Sequence, residues 1–162
     1  MRSHDDTEVL ATVKASVGRR VLGIGMLAVL AVLVIYVAIV APPSLGWQLF
    51  LIALGAGALM IADAMRRATA HHLELTRTEL RDSGGTVIVP LSQITSIDRG
   101  AFAFKPSNGF LLRLSDSTAR SWRPGLWWRL GRRVGVGGMT PGRQTKYMAE
   151  IIAVLLAERD AG

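Results

Sequence analysis

Few side chains in this 162-residue chain are spaced for chemistry. The three histidines are His4, His71 and His72. Neighbouring residues do not face one direction on a helix, and a zinc-holding histidine pair sits one helical turn apart. His71 and His72 therefore read as polar residues joining a membrane exit to a strand. The carboxylates Glu74, Glu79, Asp82, Asp98 and Asp116 are scattered over strand faces and turns, which leaves no pair for acid–base work. The absence of cysteine excludes disulfides, thiolate zinc sites, iron–sulfur clusters and cysteine nucleophiles. Gly135-Val136-Gly137-Gly138 lacks the lysine and hydroxyl of a P-loop and the glycine spacing of a dinucleotide turn. It reads as a strand end entering a helix cap, where exposed N–H groups could hold an anion. The expectation is a non-enzyme with no catalytic residue, no cofactor and no metal.

The strongest chemical signal is a basic, aromatic segment. Residues 113–133 hold six arginines against one acid, Asp116, and three of the four tryptophans. Tryptophan favours the headgroup layer of a membrane, and each basic residue near an anionic inner leaflet gains about 1 kcal/mol. Trp122, Arg123, Trp127, Trp128, Arg129, Arg132 and Arg133 are thus the candidate membrane or partner surface. The competing reading places the tryptophans in a core with the arginines as solvated flanks. Arginine interleaved with aromatics also suits single-stranded nucleic acid. The net charge of +7 is accounted for by an anionic leaflet, however, and no nucleic-acid partner is expected.

A leaflet is expected because residues 21–41 form a run of 21 without a charge, and residues 47–62 a second uncharged run of 16. About 20 apolar helical residues cross a bilayer. The transmembrane helices are placed at 21–41 and 47–65, joined by a periplasmic loop at 42–46. Lys14, Arg19 and Arg20 precede the first span, Arg66 and Arg67 follow the second, and the loop has no basic residue. Basic flanks stay on the cytoplasmic side, so residues 1–20 and everything after the hairpin are expected inside a bacterial inner membrane. Sixteen arginines against three lysines fit a GC-rich, bacterial genome. Asp63 lies three and four residues before Arg66 and Arg67, the spacing of helical ion pairs that close a span. A cleaved signal peptide fits less well, since its apolar region is typically about 7–15 residues. Ala53, Gly57 and Ile61, with Gly55 and Ala58 nearby, could let the second helix approach Gly25, Ala28 and Ala31 of the first. With no ionisable residue in mid-span, neither helix suggests a transport path.

After the hairpin the period changes to that of strands. Residues 73–80 suggest a first strand, Asp82-Ser83-Gly84-Gly85 a turn, and residues 86–90 a β-branched run. Further strands are expected at 101–104, 110–114, 119–122 and 133–136, with a tight turn at Ser115-Asp116-Ser117. Residues 122–133 do not read as an ordinary strand, and Pro124-Gly125 must turn. A C-terminal helix over 141–159 is expected, with Thr140 as N-cap and Pro141 at the first helical position. Tyr147, Met148, Ile151, Ile152, Leu155 and Leu156 would form its apolar face.

Several short strands followed by one amphipathic helix form a recognisable order. Leu75-Thr76-Arg77-Thr78-Glu79-Leu80, then Val89-Pro90-Leu91-Ser92-Gln93-Ile94, the 110–114 strand with its Asp116 turn, and the helix from Pro141 resemble the bacterial pleckstrin-homology-like domains. These often follow a short transmembrane hairpin. The resemblance implies a membrane α-hairpin plus an α+β domain at 70–162, a strongly bent antiparallel sheet or partly open barrel capped by the C-terminal helix. It also implies a scaffold that binds proteins or membranes, without catalysis, and it transfers no phosphoinositide site. The expected function is a membrane-anchored interaction protein that assists assembly or stability of a larger inner-membrane complex. Its expected partners are the lipid bilayer and an integral membrane protein or a second copy. The alternative is a peripheral sensor of anionic lipid headgroups.

Overall fold

The computed structural model describes residues 8–100 and 106–162. The strand expected at 101–104 lies outside the described residues. The chain runs β1 (Ala11–Lys14), α1 (Val17–Val40), α2 (Leu45–Ala68), β2 (His72–Leu75), β3 (Glu79–Asp82), β4 (Val87–Pro90), a 3-10 turn at Leu91–Gln93, β5 (Ile94–Asp98), β6 (Phe110–Arg123), β7 (Trp127–Val136) and α3 (Gly142–Ala161). Two antiparallel sheets result, ordered β1-β2-β3-β4 and β5-β6-β7. Together with α3 and two long apolar helices they make a helical hairpin plus an α+β domain.

Each of α1 and α2 has 24 residues, with an 18-residue stretch of mean hydropathy 2.8 in α1 and 1.9 in α2, and is long and apolar enough to cross a membrane. At 1.5 Å per residue such a helix is about 36 Å long, against a hydrocarbon core of about 30 Å. Their outward side chains, including Val29, Leu33, Ile39, Leu49 and Met60, are exposed. The two helices meet at a small-residue contact that differs from the expected one. Gly55, not Gly57, is buried, and a Cβ there would fall 2.5 Å from Ile35 Cγ1 and 3.0 Å from the carbonyl of Ala31. Gly57 and Gly25 face open space. The Asp63 carboxylate pairs with Arg66 at 2.9 Å and also with Arg67 at the end of α2.

The largest difference from expectation lies at the N-terminal end. Residues before the first long helix were expected to form a separate segment, yet Ala11–Lys14 is a strand of the first sheet. It pairs antiparallel with β2, Ala11 opposite Leu75 and Lys14 opposite His72. Ala11 and Val13 are buried in the same core as Leu73, Leu75 and Leu80. The helical hairpin is therefore inserted between two adjacent strands of one sheet. The start of α1 is also tied to the segment before α3. Ser16 N–H donates to Met139 O at 2.7 Å, Arg19 Nη1 to Thr140 O at 3.3 Å, and Lys14 N–H to Gln144 Oε1 at 2.8 Å.

The expected first strand over 73–80 is instead β2, a turn and β3. Thr76 makes the turn, its Oγ1 accepting from Thr78 N–H at 3.3 Å and Glu79 N–H at 3.1 Å. The Asp82 turn forms as read, with Oδ1 accepting from the N–H groups of Gly84 and Thr86 at 2.9 and 3.1 Å. Side-chain oxygens of this kind satisfy turn donors that no ladder reaches. The tight turn expected at Ser115-Asp116-Ser117 is absent, because β6 continues through it as one strand of 14 residues. The separate strand at 119–122 is its second half. The residues read as a break, 122–133, contain the β6–β7 turn and most of β7, which begins at Trp127 rather than Arg133.

Both sheets share one core, with Leu73, Leu80 and Ile88 from the first and Phe110, Leu112 and Val134 from the second. α3 covers it with Met148, Ala149, Ile152 and Leu156. Tyr147, expected on the buried face, is 57% exposed. Helix α3 is capped by Pro141 rather than Thr140, so Pro141 sits just outside the helix. Thr140 Oγ1 is buried with no hydrogen-bond partner among the described residues. Thr145 takes over near this end, donating to Asn108 O at 2.5 Å. At the other end Arg159 Nη1 donates to Leu91 O and Ile94 O at 3.3 and 2.9 Å, fixing α3 to the crossover between the sheets.

Candidate functional site

The β6–β7 hairpin carries all seven residues of the expected surface, and strand alternation divides them. Trp122 pairs with Trp128 and Arg123 with Trp127 across the hairpin. Successive residues point to opposite faces, so Trp127 and Trp128 must differ. Trp127 is 1% exposed and belongs to the core, its indole N–H buried with no partner among the described residues. Trp122 on the outer side is 61% exposed, and Leu130, two residues beyond Trp128, is 57% exposed. The Trp128 ring lies over the backbone of Gly135, a position any Cβ there would contest.

The arginines divide as well. Arg129 is a structural residue, donating from Nη1 to Ile88 O at 2.6 Å and from Nε to Ala119 O at 2.9 Å. It thereby links β7 to β4 of the other sheet. Arg120, Arg123, Arg132 and Arg133 have no ion-pair partner among the described residues, and all four are exposed. Arg133 stands directly opposite Arg113. Facing like charges destabilise a sheet, and one acid offsets this pair, Asp98 at 3.8 Å from Arg113.

The turn of this hairpin rests against the membrane-length helices. A Cβ on Gly125 would lie 3.3 Å from Thr69 Cγ2 and 3.3 Å from Met139 Sδ. Thr69 is the C-cap of α2. Met139 in turn packs on α1, its Cε 2.5 Å from where a Gly23 Cβ would be. Gly125 holds a φ of +80°, a conformation open to glycine at little cost. The hairpin tip therefore sits beside the ends of both helices. Sequence reasoning missed this placement, which depends on a contact between residues far apart in the chain.

The other chemical candidates are accounted for structurally. His72 Nε2 lies 3.1 Å from Glu74 Oε1, and Arg81 Nε donates to Glu74 Oε2 at 3.0 Å, one network on the face of β2 and β3. His71 Nδ1 is 3.5 Å from Ser83 Oγ. No group of three metal-ligating side chains occurs among the described residues. The anion nest allowed at Gly137-Gly138 is not there, because its donors are used. Gly137 N–H donates to Leu126 O, Gly138 N–H to Ser107 O and Met139 N–H to Gly125 O, each at 2.9 Å. These bonds splice the segment before α3 to the hairpin turn.

Comparison with protein-family models, with curated proteins and with solved structures gave no match.

Proposed function

We propose that this chain is a non-catalytic, membrane-anchored interaction protein, held in a bacterial inner membrane by the α1–α2 hairpin with both termini cytoplasmic. The observation that carries the reading is the insertion of that hairpin between β1 and β2. Because β1 pairs with β2, the two helices leave and return to one sheet, and the domain lies on one side of whatever they cross. Arg19, Arg20, Arg66 and Arg67 at those ends favour the cytoplasmic side. The uncovered apolar side chains of both helices supply the anchor.

The domain is proposed to be pleckstrin-homology-like. Four strands, then three, then a C-terminal helix packed on both sheets support that reading. Its role is then to present a rigid surface at the membrane, assisting assembly or stability of a larger complex through an integral partner or a second copy. Native electrophoresis of membranes in mild detergent tests this. The tagged chain at natural abundance is expected to migrate within a larger assembly, and migration as a lone monomer overturns the scaffold role.

A second reading, recognition of anionic headgroups, has its own support in the exposed Trp122 and Arg123 close to the end of α2.

A further inference from the structure

We infer that the tip of the β6–β7 hairpin is a docking element for the anionic headgroup layer of the same bilayer that α1 and α2 cross. The inference rests on the membrane-anchored reading and deepens its second form by dividing the hairpin into side chains that make the contact and side chains that do not. Trp122, Trp128 and Leu130 form the apolar contact, and Arg120 and Arg123 meet lipid phosphates. Trp127, Arg129, Arg132 and Arg133, four of the seven residues singled out by composition, are not part of it.

Three observations fix the occupant. The first is position. The Gly125 turn lies beside Thr69, the residue that caps α2, so near that a Cβ on Gly125 would fall 3.3 Å from the Thr69 methyl, and Met139 links the same turn to Gly23 of α1. Trp122 is three residues along the chain from Gly125, which places it at most about 11 Å away. The tip thus lies at the level where the helices leave the hydrocarbon, within reach of the headgroups.

The second is chemistry. Trp122 and Leu130 are exposed large apolar side chains on a domain whose Trp127 is sealed in the core and whose Trp128 is half-buried. A shallow groove of about 490 Å³ runs between Trp122, Trp128 and Leu130 and the turn. Tryptophan at the boundary buries its apolar body while its N–H stays in the polar layer. The third is charge. Arg123 lines this groove and Arg120 an adjoining one that shares Trp122, Trp128 and Leu130, and neither arginine has an acidic partner among the described residues. Arg66 and Arg67 at the end of α2 are already paired with Asp63, so the tip adds unneutralised positive charge to that level.

Docking has a mechanical consequence. The clamp of β1 on β2 and of Ser16 on Met139 fixes one edge of the domain to the spans. A seated hairpin tip supplies a separate support, which holds the domain at one orientation to the membrane.

The chain has no cysteine, so single-cysteine variants of the full chain take one environment-sensitive fluorophore each. Leu130→Cys reports the tip, Trp47→Cys the far end of the hairpin, and Val154→Cys the exposed face of α3. Each labelled protein is reconstituted in vesicles of phosphatidylcholine with phosphatidylglycerol, and quenching by lipids brominated near the headgroup is read. The tip probe is expected to be quenched and blue-shifted relative to the Val154 probe. Arg120→Gln with Arg123→Gln, or vesicles of phosphatidylcholine alone, are expected to reduce docking, roughly fivefold per arginine removed. Circular dichroism of the double variant checks that the fold persists. If the Trp47 probe is not quenched, the membrane anchor itself is wrong. If it is quenched while the tip probe stays as water-exposed as Val154, the anchor stands and the docking inference fails, leaving the tip free for a protein. Quenching of the tip that ignores both the arginines and the lipid charge overturns the anionic part.

Discussion

The two sheets share a core but divide the labour. The first, β1–β4, carries Lys14 and Arg81 against Glu74, Glu79 and Asp82, with Asp82 occupied in a turn and Glu74 in an ion pair. The second, β5–β7, carries six arginines against Asp98 and Asp116, and five of those arginines have no acidic partner among the described residues. The first sheet grips the helical hairpin at both ends. The second extends a long two-stranded arm whose turn comes back to the same helix ends. One sheet is an anchor point and the other offers a charged, aromatic surface, so substitutions in the two should fail in different ways.

Core positions should not show that difference, because Leu73 of the first sheet and Leu112 of the second are buried together. Leu73→Ala and Leu112→Ala are each expected to cost about 2–5 kcal/mol, measured by denaturant unfolding in detergent. The sharpest contrast lies within the hairpin itself. Trp127→Ala is expected to cost about 3–5 kcal/mol, whereas Trp122→Ala should stay within about 0.5 kcal/mol in the same assay. Equal effects would mean that the alternation of the two strands has been misassigned.

Arg129 gives a smaller but diagnostic effect. Removing its bonds to Ile88 O and Ala119 O is expected to cost about 1–3 kcal/mol. Arg132→Ala and Arg133→Ala should fall within about 0.5 kcal/mol. Relief of the facing Arg113–Arg133 pair can even make the latter slightly stabilising. Smallest of all is Glu74→Gln in the first sheet. Its half-buried pairing with Arg81 should be worth about 0.2–1 kcal/mol, read as a small shift in unfolding midpoint.

How legible these regions were in the sequence follows from the range of the interactions that make them. The two apolar helices and α3 announce themselves through local periodicity and uncharged length. Strand β1 does not, because Ala11–Lys14 is four residues long and its partner lies beyond the whole helical hairpin. Ser115-Asp116-Ser117 has turn composition yet lies in mid-strand. There β6 is exposed and its register with β7 slips between Arg113 and Thr118, so polar residues meet no apolar neighbours. Thr140 has a capping hydroxyl, but Pro141 takes the cap position and leaves that hydroxyl buried. Composition singled out the segment that holds all seven candidate surface residues. It could not separate Trp127 from Trp128, since that depends on parity counted from the Pro124-Gly125 turn. Position relative to the helix ends needed the Gly125–Thr69 contact, which no local pattern encodes.

The account stands or falls on the helical hairpin crossing a bilayer and returning to the sheet it left. Single cysteines placed at Ser44, between the helices, and at Asp160, in the last turn of α3, should be treated with a membrane-impermeant maleimide in cells whose outer barrier is opened but whose inner membrane is intact. Ser44→Cys is expected to label at once and Asp160→Cys only after the inner membrane is permeabilised. Labelling of Asp160→Cys before permeabilisation, or protection of Ser44→Cys, would contradict it.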